Sequence, residues 1–160
     1  MFTTHYLAFM DIDEMVVPKK HTNWSSMITS IKNYTHHAGF SINSVFFDPE
    51  WRQKDSGYAV GGPRLRSLMD IVRTKYLSSF RSKCMVNPRR IFEIGIHHVS
   101  KPIMATLQTV KLPEEIVLLH HYRRRDLAGP FFSKHIVDNS LLAYTSQLET
   151  AVAKTLKALK

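Results

Sequence analysis

Apolar patterns in the first part of the chain predict a strand followed by a helix. Residues 6–10 form a short apolar run that stops at acidic residues, which indicates a buried strand opening into a loop. Residues 24–38 place apolar side chains at helical spacing, with Thr22 or Asn23 as N-cap and Gly39 as the stop. Trp24 falls on the apolar stripe of this helix, so we expect it in the core.

The rest of the chain is richer in strand patterns and ends in a second helix. Residues 41–47 resemble a strand, and the polar stretch 48–63 has no sustained period, which predicts a long loop. Proline-punctuated strand patterns follow near residues 83–86, 90–99, 105–110 and 116–122. The closing helix has one apolar stripe, made of Leu141, Tyr144, Leu148, Val152, Leu156 and Leu159.

The bulk composition indicates a chain that folds around one core. A domain of 160 residues buries roughly 70% of the surface of its unfolded chain, so one domain, or part of one, is expected. The hydrophobic share of 44% and the charged share of 22% argue against a disordered or fibrous chain. The sequence shows no membrane-spanning window and no signal peptide. Cys84, the single cysteine, is expected to be a free buried thiol.

The charge balance favours an anionic partner without choosing its class. A formal net charge of +9 attracts nucleic acid, anionic lipid or phosphorylated small molecules. The basic residues are spread along the chain, with one compact run at Arg123, Arg124 and Arg125. A nucleic-acid-binding module is one alternative, but no helix-turn-helix, zinc-ligand or stacked-aromatic signature supports it. Nucleic-acid binding also gives no reason for the acidic pair Asp11 and Asp13, so no such partner is expected.

The spacing of Asp11 and Asp13 carries the first chemical signal. In an extended segment, carboxylates at i and i+2 point to the same side. Hard oxygen ligands at that spacing suit Mg²⁺ or Mn²⁺, especially where phosphate oxygens complete the coordination. An isolated pair is more often a solvated acidic turn. Here an apolar run delivers the pair to its carboxyl end, where the ligands of α/β sheets bind.

Three ordered blocks resemble glycosyltransferase family 92. The first is Leu-Ala-Phe-Met-Asp-Ile-Asp-Glu-Met-Val-Val-Pro at residues 7–18, which is similar to the acidic motif of that family. The second joins Ser-Lys-Cys-Met-Val-Asn-Pro at residues 82–88 to Gly-Ile-His-His-Val at residues 95–99. The third is Leu-His-His-Tyr-Arg at residues 119–123. Three matches in the family's order are a more specific signal than one acidic pair.

The resemblance implies a fold, a reaction and its participants. The expected fold is α/β, the C-terminal portion of a GT-A type domain with a mixed sheet and flanking helices. The expected reaction transfers a sugar, with galactose the best-known case, from a UDP-sugar to a glycan acceptor with inversion of configuration. A divalent cation, Mn²⁺ or Mg²⁺, is the implied cofactor. The family also implies a membrane-anchored enzyme of the Golgi lumen.

The resemblance also assigns roles to individual residues. Asp11 and Asp13 would form the metal and nucleotide-sugar motif, with Asp13 the direct ligand and Asp11 nearer the ribose or a bound water. His121 is the candidate for a late metal ligand. Arg123 would face the diphosphate, where its forked guanidinium can hold two oxygens and offset charge on the leaving group.

Other residues are open to two interpretations. His97 and His98 lie on an apolar strand pattern, where one is expected to be a hydrogen-bonded core histidine, and either is a candidate for substrate or metal contact. Trp51 lies in the long loop and is a candidate for stacking on a sugar ring. An inverting transfer needs a general base, which the sequence leaves unassigned. The acidic residues considered for it are Glu50, Asp55 and Asp126.

Family members are longer than this chain, which sets a further expectation. The resemblance covers residues 1–160 as a single partial catalytic domain, with the nucleotide-binding strands that normally precede the acidic motif expected to be missing. The isolated chain is then expected to bind UDP-sugar weakly or not at all, and a membrane link is expected only through a missing N-terminal anchor. The remaining alternative is a catalytically silent remnant that acts in protein interaction through strand edges or its last helix.

Overall fold

The computed structural model describes residues 5–51, 65–124 and 133–159, which belong to two compact units. The first unit combines Met1–Val45 with Leu77–His121, and the second combines Phe46–Tyr76 with Tyr122–Lys160. In chain order the elements are β1 (Leu7–Ala8), β2 (Glu14–Pro18), α1 (Trp24–Thr29), β3 (Gly39–Phe47), α2 (Arg66–Met69), β4 (Val72–Thr74), β5 (Ser78–Val86), β6 (Ile91–Ile94), β7 (Val99–Pro102), β8 (Thr109–Lys111), β9 (Val117–Tyr122), β10 (His135–Val137) and α3 (Thr145–Ala158). Short 3-10 turns lie at Tyr34–His36, Pro49–Trp51 and Ser140–Tyr144.

The first unit is built on a mixed sheet. Strand β5 pairs antiparallel with both β1 and β3, while β8 pairs parallel with β3. Strand β2 pairs antiparallel with β9, and β6 forms a separate hairpin with β7. The expected α/β class with a mixed sheet and flanking helices is confirmed.

One glycine fixes how closely β3 approaches β5. A Cβ atom on Gly39 would lie 2.8 Å from the backbone oxygen of Met85 and 2.8 Å from Cγ1 of Val86. Any larger residue would therefore force the two strands apart. The helical pattern predicted that Gly39 stops a helix, but the helix ends at Thr29 and Gly39 is the first residue of β3.

The core of the first unit lies between this sheet and α1. It contains side chains from α1, β2, β3, β5 and β9, together with a residue after β8. The buried members are Val16, Met27, Ile28, Phe40, Ile42, Met85, Leu112, Val117 and Leu119. The burial of β-branched and aromatic side chains is the main stabilising term for such a sheet, at about 25 cal/mol per Å² of apolar surface.

The first predicted helix is shorter than its apolar pattern. Asn23 is the N-cap, and its Oδ1 accepts a hydrogen bond from the Ser26 N–H at 2.8 Å. The helix ends at Thr29, where the Ser30 hydroxyl donates to the Met27 carbonyl at 2.7 Å and competes with the backbone pattern. Asn33 then adopts a left-handed backbone at φ 55°. The prediction that Trp24 lies in the core was wrong, because its indole is exposed. Its Nε1–H donates a hydrogen bond to the Val16 carbonyl.

Several strand predictions also needed correction. The run at residues 6–10 is not a buried strand, because β1 has two residues and Leu7, Phe9 and Met10 are exposed. Strand β2 was missed, although its Val16 and Val17 have high strand propensity. Residues 90–99 form one strand of a hairpin and its turn, and the strand near residue 110 begins only at Thr109. The predictions for residues 41–47 and 116–122 were correct to within two residues.

The second unit holds β4 between β10 and the end of β3. Arg73 of β4 is the register partner of Phe47 and of Ile136. Its buried guanidinium donates to Asp138 through Nε at 2.6 Å and to the Thr74 carbonyl through Nη1 at 2.8 Å. The closing helix is present as α3, which has no buried residue. Of the predicted apolar stripe, Leu141 is buried, in the 3-10 turn before α3, and the members within α3 are not.

Two further observations complete the description. Cys84 is buried and free, as expected, and burial is the main reason that the pKa of its thiol is raised. Among the described residues, no helix combines the length and apolar character needed to cross a membrane.

Candidate functional site

Residues 11–14, here called the acidic turn, connect β1 to β2 in the first unit. Two hydrogen bonds join the first and last residues of the turn. The Asp11 carbonyl accepts from the Glu14 N–H at 3.1 Å, and Oε2 of Glu14 accepts from the Asp11 N–H at 2.9 Å. Glu14 begins β2 and is buried, whereas the side chains of Asp11 and Asp13 are 62% and 40% exposed. The turn therefore offers two carboxylates to solvent above one that is enclosed.

Lys83 of β5 supplies a buried cation beneath the turn. Its Nζ lies 3.0 Å from Oδ2 of Asp11 and 3.6 Å from Oε2 of Glu14. The hydrogen bond from Lys83 is the main cause that holds the pKa of the Asp11 carboxyl below its ordinary value. A lysine enclosed by protein retains its charge only where carboxylates stand close by, so Lys83 and the two acids depend on each other.

His121 of β9 reaches the turn from the neighbouring strand. The register pairs His121 directly with Glu14, which brings the imidazole against both acids of the turn's second half. Its Nε2 lies 3.2 Å from Oδ2 of Asp13, and its Nδ1 lies 3.5 Å from Oε1 of Glu14. Cross-strand pairing thus joins the first and third sequence blocks, which are far apart along the chain.

The donor set at this position fits a divalent cation in part. The carboxylate of Asp13 and the imidazole of His121 are an oxygen and a nitrogen ligand of the kinds that Mn²⁺ accepts, and they already face each other. Asp11 is instead engaged by Lys83. Among the described residues, no three histidine, cysteine, aspartate or glutamate side chains converge as a ready metal site. The metal roles of Asp11, Asp13 and His121 stay predictions, and phosphate oxygens would have to complete the coordination.

His97 and His98 lie in the turn between β6 and β7 and differ in their surroundings. Nδ1 of His97 lies 3.0 Å from the Ser82 carbonyl, and the Ser82 hydroxyl donates back to the His97 carbonyl at 2.9 Å. His98 is exposed, and its Nε2 lies 3.4 Å from the Ser100 hydroxyl. His97 is hydrogen-bonded but half-buried, so the expectation of a hydrogen-bonded core histidine holds for the hydrogen bond and not for the core position. Their contact with substrate stays a prediction.

Three residues of interest belong to the second unit. The backbone N–H of Arg123 donates to the Phe47 carbonyl at 3.1 Å, and its proposed contact with a diphosphate stays a prediction. The Trp51 ring lies 3.9 Å from the His135 ring, measured between centroids, so one aromatic neighbour is already present. Glu50 approaches Arg124 at 3.6 Å on the surface. The other acids considered as a base, Asp55 and Asp126, lie outside the described residues.

Two residues that organise the turn had no predicted role. Glu14 was noted only as part of a motif, and Lys83 only as part of a block. A signal existed for Lys83, because a lysine directly before the apolar residues 84–86 of a predicted strand needs a partner if it is buried with them. No local pattern indicates that this partner lies in the acidic turn, 72 residues earlier in the case of Asp11.

Comparison of the sequence with known proteins identifies the family of this chain. The profile of glycosyltransferase family 92 matches residues 1–160. The chain is also similar to the beta-1,4-galactosyltransferase galt-1 of Caenorhabditis elegans, with 29% identity over 124 residues. That similarity covers 75% of this chain and 26% of the relative, so the chain spans about a quarter of the relative's length. Because the family profile matches along the whole chain, this protein belongs to glycosyltransferase family 92.

Proposed function

We propose that this protein takes part in the transfer of galactose from UDP-galactose to a glycan acceptor, with inversion at the transferred carbon and with help from Mn²⁺ or Mg²⁺. Family membership supports a nucleotide-sugar donor and a glycan acceptor. The name of the nematode relative supports galactose as the transferred sugar. The family resemblance further supports a membrane-anchored enzyme of the Golgi lumen, which localisation of the tagged protein in cells would test.

The observation that carries the proposal is the pair formed by Asp13 and His121. Their facing atoms are 3.2 Å apart, and Asp13 remains partly open to solvent. Asp13 and His121 would hold the cation, and the remaining ligands would come from the diphosphate of the donor. A divalent cation bound there would supply positive charge that stabilises the departing diphosphate.

The surrounding residues of the chain would hold this pair in place. With a cation at Nε2 of His121, the proton of the neutral imidazole would lie on Nδ1, which is 3.5 Å from Oε1 of Glu14. Lys83 offsets the negative charge of the turn from below. Asp11, held by Lys83, is placed for the ribose or a bound water. In this proposal, Arg123 contributes a second cation to the diphosphate.

Isothermal titration of the purified chain with UDP tests the donor part of this proposal. We expect UDP to bind about tenfold or more tightly with Mn²⁺ than with EDTA, because diphosphate oxygens and protein side chains would share the cation. Asp13→Ala should remove the difference. Equal UDP affinity with and without Mn²⁺ in the unchanged chain would contradict the proposal.

A transfer assay tests the sugar. UDP-galactose, UDP-glucose and UDP-N-acetylglucosamine are offered with Mn²⁺ and a panel of methyl glycosides, and the glycosylated product is measured by mass spectrometry. We expect product from UDP-galactose in preference to the other two donors, and none with Asp13→Ala. Equal product from Asp13→Ala would exclude the acidic turn from the reaction. A silent remnant predicts that Asp13→Ala changes no property of the chain.

A further inference from the structure

A cleft opens on the first unit beside β5. Its volume is about 410 Å³, within the range of small-molecule sites. Its lining comes from β3, β5, β8 and the turn before β7: Ser41, Ser79, Phe80, Ser82, Cys84, His97, His98, Val99 and Thr109. We call it the β5 cleft.

The β5 cleft adjoins the acidic turn. On one edge of β5, the Cys84 carbonyl accepts from the Phe9 N–H at 3.3 Å, and the next carbonyl on that edge, of Ser82, contacts His97. His97 therefore occupies the hydrogen-bonding edge of β5 just beyond the point where β1 ends and the chain turns toward Asp11. This contact places His97 at the edge of β5, between the cleft and the turn.

The lining chemistry indicates an uncharged, hydroxyl-rich ligand. Of the described residues, those that line the cleft include no carboxylate, lysine or arginine. They include hydroxyls from serine and threonine, which both donate and accept hydrogen bonds. They also include the ring of Phe80, which is 81% exposed although it is large and apolar. A sugar has an apolar face of C–H groups and a rim of hydroxyls, so it complements a ring surrounded by hydroxyls.

His97 adds a defined hydrogen-bond acceptor to this surface. The Ser82 carbonyl can only accept, so its 3.0 Å contact with Nδ1 places the proton on that nitrogen. The neutral imidazole then carries its lone pair on Nε2. A sugar hydroxyl that donates to Nε2 would lie at the end of the cleft nearest the acidic turn.

We propose that the β5 cleft binds a neutral saccharide, the acceptor of the transfer, with its apolar face on Phe80 and one hydroxyl donating to Nε2 of His97. The role of the saccharide as acceptor rests on the proposed function, whereas saccharide binding by the cleft does not. Ser82 and Cys84, which line the cleft, point to the opposite face of β5 from Lys83, which holds the acidic turn. His97, at the edge of β5, is the residue through which an acceptor in the cleft would approach the donor site.

Saturation-transfer NMR on the full 160-residue chain tests the cleft without donor or metal. The probes are methyl glycosides of galactose, N-acetylglucosamine, fucose and mannose. We expect at least one to bind with Kd on the order of millimolar, as for other ligands of about a dozen heavy atoms. Phe80→Ala should weaken that Kd at least fivefold. Absence of saturation transfer to all four, or an unchanged Kd in Phe80→Ala, would overturn the proposal.

Phe92→Ala is the matched control. Phe92 is 73% exposed on β6 and does not line the cleft, and a cation lies near its ring as one does near Phe80: Nζ of Lys101 at 4.9 Å and Cζ of Arg81 at 5.9 Å. We expect the saccharide Kd of Phe92→Ala to match that of the unchanged chain. An equal loss in both variants would mean adhesion to exposed rings, and would overturn the cleft as a site.

His97→Asn tests the hydrogen bond separately. The asparagine amide can still donate to the Ser82 carbonyl, but it lacks the Nε2 lone pair. We expect a Kd at least threefold weaker with an otherwise unchanged amide spectrum, and an unchanged Kd would overturn the role of Nε2. Saccharide binding without any Mn²⁺-dependent UDP binding would contradict the proposed function and support the cleft as a saccharide site. Mn²⁺-dependent UDP binding without saccharide binding would support the proposed function and overturn the cleft.

Discussion

Two clusters of charge, one in each unit, differ in what they leave open to solvent. In the second unit, Arg73 and Asp138 meet at 2.6 Å with side chains only 4% and 5% exposed. In the first unit, Lys83 and Glu14 are equally enclosed, but Asp11, which Lys83 binds, and Asp13, which His121 meets, stand at the surface. One cluster is closed on all sides, and the other is anchored from below and open above.

The difference separates a structural pair from a binding site. The oxygens of Asp138 are filled by Arg73, by the Ser140 N–H and by the Ser140 hydroxyl, so this carboxylate has little capacity for a ligand. The exposed carboxylate of Asp13 lies at hydrogen-bond distance from the ring of His121 and keeps an open side toward solvent. A buried cation that holds exposed acids gives a rigid, accessible negative site, whereas an enclosed pair gives only fixed geometry.

The largest effect on stability is expected from opening the closed cluster. Asp138→Ala leaves the buried guanidinium of Arg73 without its carboxylate, so the free energy of unfolding should fall by about 3–5 kcal/mol. Urea denaturation followed by circular dichroism measures it. Arg124→Ala is the control, because its pair with Glu50 is exposed and should cost no more than about 0.5 kcal/mol. Similar losses in the two variants would refute the distinction.

A smaller loss is expected from removing the anchor of the open cluster. Lys83→Met leaves Glu14 buried, yet Glu14 keeps the Asp11 N–H and its contact with His121. We therefore expect a loss of about 2–3 kcal/mol in the free energy of unfolding, less than for Asp138→Ala. Lys111→Met, at an exposed position of β8, should change it by less than about 0.5 kcal/mol. If Lys83→Met were neutral, Lys83 would not anchor the turn.

The stability of the second unit at alkaline pH gives a third test of the comparison. The Tyr122 ring is stacked on Phe47 with centroids 4.9 Å apart, and burial, aided by the charges of Asp138 and Asp70, raises the pKa of its phenol above the ordinary 10.0. A raised folded pKa adds stability below pH 10 that is lost as pH rises above it. Beyond that pH, the free energy of unfolding should fall with an additional slope of up to about 1.4 kcal/mol per pH unit.

Tyr122→Phe isolates this contribution, because the ring stays and the titrating group goes. The variant's free energy of unfolding should fall less steeply between pH 10 and pH 11 than that of the unchanged chain, measured by urea denaturation at each pH. Other tyrosines and lysines titrate in both proteins and cancel in the comparison. Parallel pH profiles would show that Tyr122 is not in a dry environment.

The sequence predicted the chemistry of the open cluster better than the local structure around it. Periodicity located β3, β9 and the last helix because long regular patterns leave few alternatives. It failed at β1 and β2, where short strands follow pairing partners distant in the chain, Met85 and Leu119 among them. The apolar pattern also predicted that the first helix continues past Thr29. Apolar spacing carries no information on where serine and asparagine side chains compete for backbone hydrogen bonds and end a helix.

The site shows the same limit. Asp11, Asp13 and His121 were named from ordered motifs, and cross-strand pairing of β2 with β9 brings two of them together. The roles of Glu14 and Lys83 depend on which strand lies next to which, and that information is absent from local spacing. Phe80 was overlooked because it precedes the strand predicted near residues 83–86 and stands between Ser79 and Arg81, where no periodic pattern indicates its surroundings.

The smallest change in stability should accompany the largest change in ligand binding. Asp13 is partly exposed and meets the edge of the His121 ring, so Asp13→Asn should alter the free energy of unfolding by less than about 1 kcal/mol. The same substitution removes a charged oxygen ligand from the open cluster. Asp138→Asn is the matched control, since it neutralises a carboxylate of the closed cluster.

Titration of Mn²⁺ in the presence of UDP, followed by electron paramagnetic resonance with a protein-free UDP blank, tests the central claim most directly. It counts free Mn²⁺ without sugar transfer or acceptor, and UDP supplies the phosphate oxygens that complete the coordination. We predict one Mn²⁺ site in the unchanged chain, an affinity about tenfold or more weaker in Asp13→Asn, and an unchanged affinity in folded Asp138→Asn. The account would be contradicted if Mn²⁺ bound Asp13→Asn as tightly as the unchanged chain, or if the unchanged chain bound none.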